Sequence, residues 1–399
     1  MSICDIASEI EISRELSKNK FSKVYQERPY QIRLMDKVIA DWRGDNEHNA
    51  KVNYSLIESP PGSGKTVMGF KLAKILKEQV GDINGIDPND FGIGWVAGRR
   101  NLLKQAENEN NYLVNCPDVH YISQFTHNID DCPLKKYKHK LLVIDEAHHE
   151  ACDTIHSIIN VLDPDYMIGL SATPRRTDRA KLCFQKSYRD AGFYSLIDEG
   201  WLSKFDHWMI PNWDAETVTR LYISEKEKWG KSIIYFLNRE ECHKAMSYLQ
   251  DAGINADLVT GETDRESQLQ RFENGELDVL VNMFVLTEGF DCPELKTVFV
   301  RDSGELPTTQ MSGRVLRPHP DIPISNIVQS INTKWPFTKT ANIAHRQHVW
   351  HNNGWKFIGK SDLIEKEILN TIHKLFKAEV NEDLLQKLRS MKRKRRINI

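Results

Sequence analysis

The sequence predicts an α/β protein of two tandem lobes, each a parallel sheet flanked by helices, with a small C-terminal extension. Three observations lead there. Apolar strand-like runs alternate with helical periodicity over most of the 399 residues, the pattern that builds parallel sheets covered by helices. The chain is too long for one ordinary domain. The alternation breaks once, near residues 211–230, where Pro211, Trp213 and Asp214 interrupt it.

Residues 1–27 read as an N-terminal extension, with acids early and no apolar run of the kind a signal peptide carries. Residues 28–210 make the first lobe, with strands expected over Tyr54–Ile57, Gly92–Ala97, Leu141–Ile144 and Tyr166–Leu170 and a helix over Thr66–Gln79. Residues 211–230 read as a linker. The second lobe, 231–330, has strands expected over Ser232–Leu237, Ala256–Val259, Val279–Asn282 and Thr297–Val300, with helices over Glu240–Gln250 and Arg265–Phe272. Residues 331–399 form the extension. Its Trp335, Trp350 and Trp355 are expected to pack a small core onto the second lobe rather than stack on bases. The run Lys392–Arg396 either grips phosphates or solubilises the end of the chain.

Lys and Arg total 54 against 56 Asp and Glu, a net charge of −2, so any attraction to phosphate must come from local clustering. The seven cysteines are scattered, with no C-x-x-C pair. That argues against a zinc site or a disulfide framework and for a reducing, intracellular, cytoplasmic compartment. No stretch has the apolar length of a membrane helix.

The segment Ser59-Pro60-Pro61-Gly62-Ser63-Gly64-Lys65-Thr66 follows an expected strand and opens an expected helix. In that context backbone N–H groups wrap the phosphates of ATP, Lys65 reaches the terminal phosphates and Thr66 gives its hydroxyl to Mg²⁺. The helix N-terminus adds a favourable dipole. Downstream, Leu141–Ile144 runs straight into Asp145-Glu146-Ala147-His148. Asp145 supplies a hard oxygen for Mg²⁺, and Glu146 is placed to orient and deprotonate the attacking water. Two adjacent acids at a buried strand end are costly without a cation.

Asp-Glu-Ala-His after an apolar strand resembles motif II of the superfamily 2 helicases, and further segments follow in that family's order. Arg28-Pro29-Tyr30-Gln31 resembles its Q motif, Trp95–Arg100 motif Ia, Ile122–Phe125 motif Ib, Ser171-Ala172-Thr173 motif III, Ile233–Phe236 motif IV, Leu286–Asp291 motif V and Gln310–Arg317 motif VI. The resemblance covers roughly residues 28–320 and implies two RecA-like lobes that close on ATP. It implies that Gln31, with Arg28, reads adenine, although Gln31 also fits a polar cap on the first helix. It implies that Gly98, Arg99, Ser123, Gln124 and Thr287 touch the nucleic-acid backbone, and that Gly289 and Asp291 sit at the nucleotide. Arg314 and Arg317 would meet the γ-phosphate, Arg317 as the arginine finger. Gln310 and His148 would couple the nucleotide site to the strand, with Ser171 and Thr173 joining the lobes. The texture is closest to the XPB-like and phage UvsW-like branch, except that Arg176-Thr177-Asp178 stands where XPB-type proteins carry Arg-Glu-Asp.

The implied function is an ATP-dependent DNA helicase or translocase acting on single-stranded, duplex or branched DNA. An RNA helicase, the motor of a restriction or defence complex, and an ATP-dependent switch that binds nucleic acid without processive movement remain alternatives.

Overall fold

The computed structural model describes residues 28–46, 50–98, 100–126, 129–147, 153–172, 183–283, 292–352 and 354–359. The described residues up to Leu202 form one compact unit and those from Ser203 onward a second.

The first unit is a six-stranded, all-parallel sheet in the order β3-β2-β4-β5-β1-β6. Its strands are β1 Tyr54–Glu58, β2 Phe91–Ala97, β3 Val119–Ser123, β4 His139–Ile144, β5 Tyr166–Ser171 and β6 Lys186–Tyr188. β2 and β5 are buried along their whole length, as expected of strands covered on both faces. The helix Lys65–Asn84 packs Phe70 flat on Trp95, with ring centres 3.9 Å apart. The helix Pro29–Arg43 starts on proline, ends at the left-handed Gly44 and buries Tyr30, Leu34, Val38 and Trp42. Its one buried carboxylate, Asp41, accepts from Lys186 and from the Tyr188 hydroxyl, each at 2.6 Å, which ties the edge strand β6 to the helix.

The second unit is an eight-stranded sheet in the order β14-β13-β7-β12-β11-β8-β10-β9. Its strands are β7 Lys204–Ile210, β8 Ser232–Tyr235, β9 Ala256–Val259, β10 Val279–Asn282, β11 Thr297–Val300, β12 Ile324–Ser330, β13 Arg346–His351 and β14 Gly354–Gly359. All pairings are parallel except the hairpin β13–β14.

Three boundaries differ from the expected ones. The segment Lys204–Ile210, expected to close the first lobe, is instead β7, between β12 and β13 of the second sheet. Residues 211–230 are not a linker. They fold as helices Ala215–Ser224 and Lys226–Trp229, and they bury Val218, Tyr222 and Trp229 in the second core. Residues 331–359 complete the second sheet rather than appending to it.

A cluster of aromatic rings fastens that last piece. The Lys228 ammonium lies 3.6, 4.3 and 4.5 Å from the ring centres of Trp208, Trp229 and Trp355 and 2.9 Å from Glu225. Trp355 donates to the same carboxylate, and His348 stacks on Trp208 at 3.9 Å. Trp350 meets Trp355 edge-on. Trp350 and Trp355 thus pack on the second lobe as expected, each aromatic pair contributing about 0.5–1.5 kcal/mol beyond its buried area.

On the other face of β7, His207 is buried with Nε2 at 3.0 Å from the Gln329 carbonyl oxygen. Burial pushes its pKa down to about 4, so the folded chain holds it neutral while the unfolded chain protonates near 6.5. Its contribution is complete above pH 6.5 and is lost as pH falls toward 4. In urea unfolding at pH 8 and pH 5, the native protein should lose about 2 kcal/mol more than His207→Gln. Equal losses in the two proteins would remove His207 as a source of acid sensitivity.

Candidate active site

The loops that follow β1, β2, β3, β4 and β5 leave one rim of the first sheet, at the carboxyl ends of its strands, where ligands of open α/β sheets bind. The phosphate loop starts as β1 ends. The Ser59 N–H donates to the Ser171 carbonyl at 3.0 Å, so the start of the loop is tied to the end of β5. The Ser63 N–H closes a turn on the Pro60 carbonyl at 3.2 Å. Gly62 and Gly64 have φ of 77° and 82°, a region that glycine enters without penalty. A side chain at Gly64 is excluded twice, since its Cβ would also stand 2.6 Å from the Gln31 Nε2. Lys65, only 9% exposed, donates to the carbonyls of Ser59 and Pro60 at 3.1 and 3.3 Å. Its ammonium therefore already lies inside the loop. Pro61 completes the loop, and Thr66 stands in the first turn of the helix beyond it.

The loop is supported from the first helix. Gln31 is buried, and its Nε2 donates to the Ser63 carbonyl at 2.8 Å while its Oε1 faces the Arg28 N–H at 3.4 Å. The amide thus buttresses the phosphate loop and caps its own helix. Arg28 donates to the Gly62 carbonyl at 3.3 Å and lies over the Trp201 ring. Tyr30 donates its hydroxyl to the Ser63 carbonyl at 2.5 Å. Tyr30 and Trp201 were not singled out in the sequence. The adjacency of Tyr30 to Gln31 was the available signal for the first, and nothing local marked the second.

The acidic pair follows β4. The Asp145 N–H bonds the Val96 carbonyl at 2.9 Å, which fixes the turn beside the end of β2. Burial pushes the Asp145 carboxyl well above the usual carboxylate range. The charge of Glu146 adds to the shift, and Lys65 opposes it. Glu146 has φ of 50°, a left-handed conformation unusual outside glycine. Such strain concentrates where surrounding structure holds a functional side chain in place. A half-buried carboxyl crowded by a second acid, with one lysine nearby, is a donor set that suits a divalent cation.

Further along the rim, the Ala97 carbonyl accepts from the Gln124 N–H at 3.0 Å, and a Cβ on Gly98 would stand 2.9 Å from the Gln124 amide nitrogen. The structure thus brings together Gly98, Ser123 and Gln124, which the sequence assigns to two separate motifs. In the second unit, Gln310 lies buried on the helix Glu305–Gly313, and Arg314 begins the 3₁₀ turn Arg314–Leu316 that leads to Arg317. The Ser203 N–H donates to the Leu316 carbonyl at 2.8 Å and the Ser325 hydroxyl to the Val315 carbonyl at 2.7 Å, fixing that turn. Arg99, His148, Thr173, Thr287, Gly289 and Asp291 lie outside the described residues. Among the described residues no helix is long and apolar enough to cross a membrane.

Comparison with known proteins gives two family models in chain order. The model described as the type III restriction enzyme res subunit matches residues 24–130 and 115–176. The model described as the helicase conserved C-terminal domain matches residues 213–319. The putative ATP-dependent helicase IRC3 of Saccharomyces cerevisiae is 30% identical over 221 residues, covering 45% of this chain and 32% of that protein. The chain therefore spans about a third of that relative's length. A 51.5 kDa protein of a Lactococcus phage is 24% identical, covering 78% of this chain and 72% of its own. Among solved structures, Saccharomyces cerevisiae Dbp5 bound to RNA and ADP BeF3 superposes with a TM-score of 0.52 at 16% identity, over 78% of this chain and 89% of that one. The type ISP restriction-modification enzyme LlaBIII bound to DNA gives 0.52 at 15% identity, over 78% and 28%. These likenesses match the two units to tandem RecA-like lobes. With both halves matched in order by helicase-type models, the chain belongs to the superfamily 2 helicases.

Proposed function

We propose that the chain is an ATP-driven motor acting on DNA, with a preference for branched or duplex-containing forms. The observation that carries the ATPase reading is the phosphate loop, in which the Lys65 ammonium is held close enough to the half-buried Asp145 for its charge to act on that carboxyl. The loop amides and Lys65 bind the phosphates, and the carbonyls of Ser59 and Pro60 give up the ammonium as the anion enters. Mg²⁺, when bound by Thr66 and Asp145, would neutralise charge on the β- and γ-phosphates. Glu146 orients the attacking water and takes its proton. Gln31, Tyr30 and Arg28 keep the loop carbonyls turned away from the anion, so that the amides face it. Arg314 and Arg317 supply the charge that stabilises the transferring phosphoryl group, a role supported by their spacing from Gln310. The bond from Ser59 to Ser171 gives the loop a direct mechanical link to the motif III strand.

The DNA preference rests on the resemblance of Asp145–His149, Gly169–Asp178 and Glu288–Pro293 to the XPB-like and UvsW-like branch. A restriction or defence motor is the second reading, favoured by the family model that matches the first lobe. Contacts through Gly98, Ser123 and Gln124 would read backbone shape and not base identity, so binding should fall steeply with salt. The test sets a DNA fork against an RNA duplex of matched sequence, recording ATP turnover and product. The expected result is stimulation by the fork. Stimulation by RNA with indifference to the fork would remove the DNA assignment and leave the motor assignment standing.

A further inference from the structure

Phe125 stands just beyond β3, on the rim that carries the phosphate loop. It is 56% exposed, as much as any large apolar side chain among the described residues. A single exposed apolar side chain needs no explanation by itself, but this one is held in a built turn. The Phe125 N–H donates to the Ser123 hydroxyl at 3.3 Å, and the Thr126 N–H to the Ser123 carbonyl at 3.0 Å. The preceding Gln124 is pinned by its N–H to the Ala97 carbonyl and by close packing of its amide against Gly98. A side chain at residue 98 would push this turn away from the end of β2. The backbone on both sides of the ring is thus fixed while the ring faces solvent.

The sheet order places β3 four strands from β1. At the usual strand spacing that is about 19 Å, too far for Phe125 to touch a nucleotide in the phosphate loop. Serine and glutamine beside it offer polar groups suited to a phosphate and sugar backbone. A phenyl ring offers nothing to a phosphate, but its face matches that of an unstacked base.

We propose that Phe125 stacks on a base of an unpaired DNA strand bound along this rim. It adds a contact that is indifferent to base identity and independent of phosphate charge. This rests on the nucleic-acid reading above and deepens it. The backbone contacts of the same loops hold the strand, and the ring adds a π-face that requires the strand to carry bases.

The test is equilibrium binding of the full chain to an oligothymidylate and to an abasic strand of equal length and charge. The proteins are wild type, Phe125→Ala and Phe125→Trp. Phe125→Ala should weaken oligothymidylate binding by about 5- to 150-fold, the range of one lost base stack. It should bind the abasic strand as wild type does. Its salt dependence should match wild type, since no phosphate contact is lost. Phe125→Trp should restore oligothymidylate affinity, and ATP affinity in the absence of DNA should be the same in all three. Equal weakening on both strands, or no weakening on oligothymidylate, would overturn the stacking role while leaving DNA binding intact. Failure of the wild-type protein to bind either strand would overturn the nucleic-acid reading, and this inference with it.

Discussion

Lys65→Ala is expected to abolish ATP turnover, and Glu146→Gln to keep nucleotide binding while stopping hydrolysis. The first removes the ammonium that the structure holds against the carbonyls of Ser59 and Pro60, at 3.1 and 3.3 Å. Without it the loop lacks the cation that reaches the terminal phosphates, and binding and chemistry fail together. The second change keeps the shape and hydrogen-bonding reach of the side chain but removes its basicity. A positioned general base contributes about 10²–10⁴ in rate, so turnover should fall by that order. The two variants are separated by measuring nucleotide binding at equilibrium alongside steady-state turnover. Near-normal turnover in Glu146→Gln would show that another group takes the proton.

Arg317→Ala should have the second large effect, a fall in turnover of about 10³–10⁵ with ATP affinity largely kept. An arginine acting on charge that develops in the transition state contributes little to ground-state binding. The stem of Arg317 leaves a turn anchored by Ser203 and Ser325, so the side chain starts from a fixed point. Single-turnover hydrolysis of bound ATP is the measurement. Weakened ATP binding with an unchanged hydrolysis step would make Arg317 a binding residue and not a finger.

Several strands of both sheets were legible from their apolar runs. The runs over Tyr54–Ile57, Ala256–Val259, Val279–Asn282 and Thr297–Val300 coincide with β1, β9, β10 and β11 to within a residue. β7 was not legible because Lys204-Phe205-Asp206-His207-Trp208 places charged and polar residues on a central strand. These residues are buried by specific partners, His345 at 2.9 Å from Asp206 and Gln329 at 3.0 Å from His207, and such long-range pairs leave no local pattern. The same reason explains the supposed linker. Lys226 and Lys228 raise its charge, yet Lys228 sits among three tryptophan rings. At the site, the phosphate loop and the Asp145–Glu146 pair were legible as contiguous runs at the ends of apolar strands. The support from Tyr30 and Trp201 was not, since packing around a loop can be met by many side chains.

The placement of β7 between β12 and β13 has a consequence for how this protein is made. β7 emerges from the ribosome well before Ile324–Ser330 and Arg346–His351, the strands on its two sides. Until they follow, both of its edges offer unpaired N–H and C=O groups, a template for pairing with another chain. Closing a sheet through such distant segments is slow, and the second unit is exposed to misassembly for that interval. The polar pair Asp206–His207 in the middle of the waiting strand makes it a poorer partner for a foreign apolar strand than an all-aliphatic run would be. Synthesis paused before β13 should therefore leave the first unit folded and the second dependent on holding chaperones.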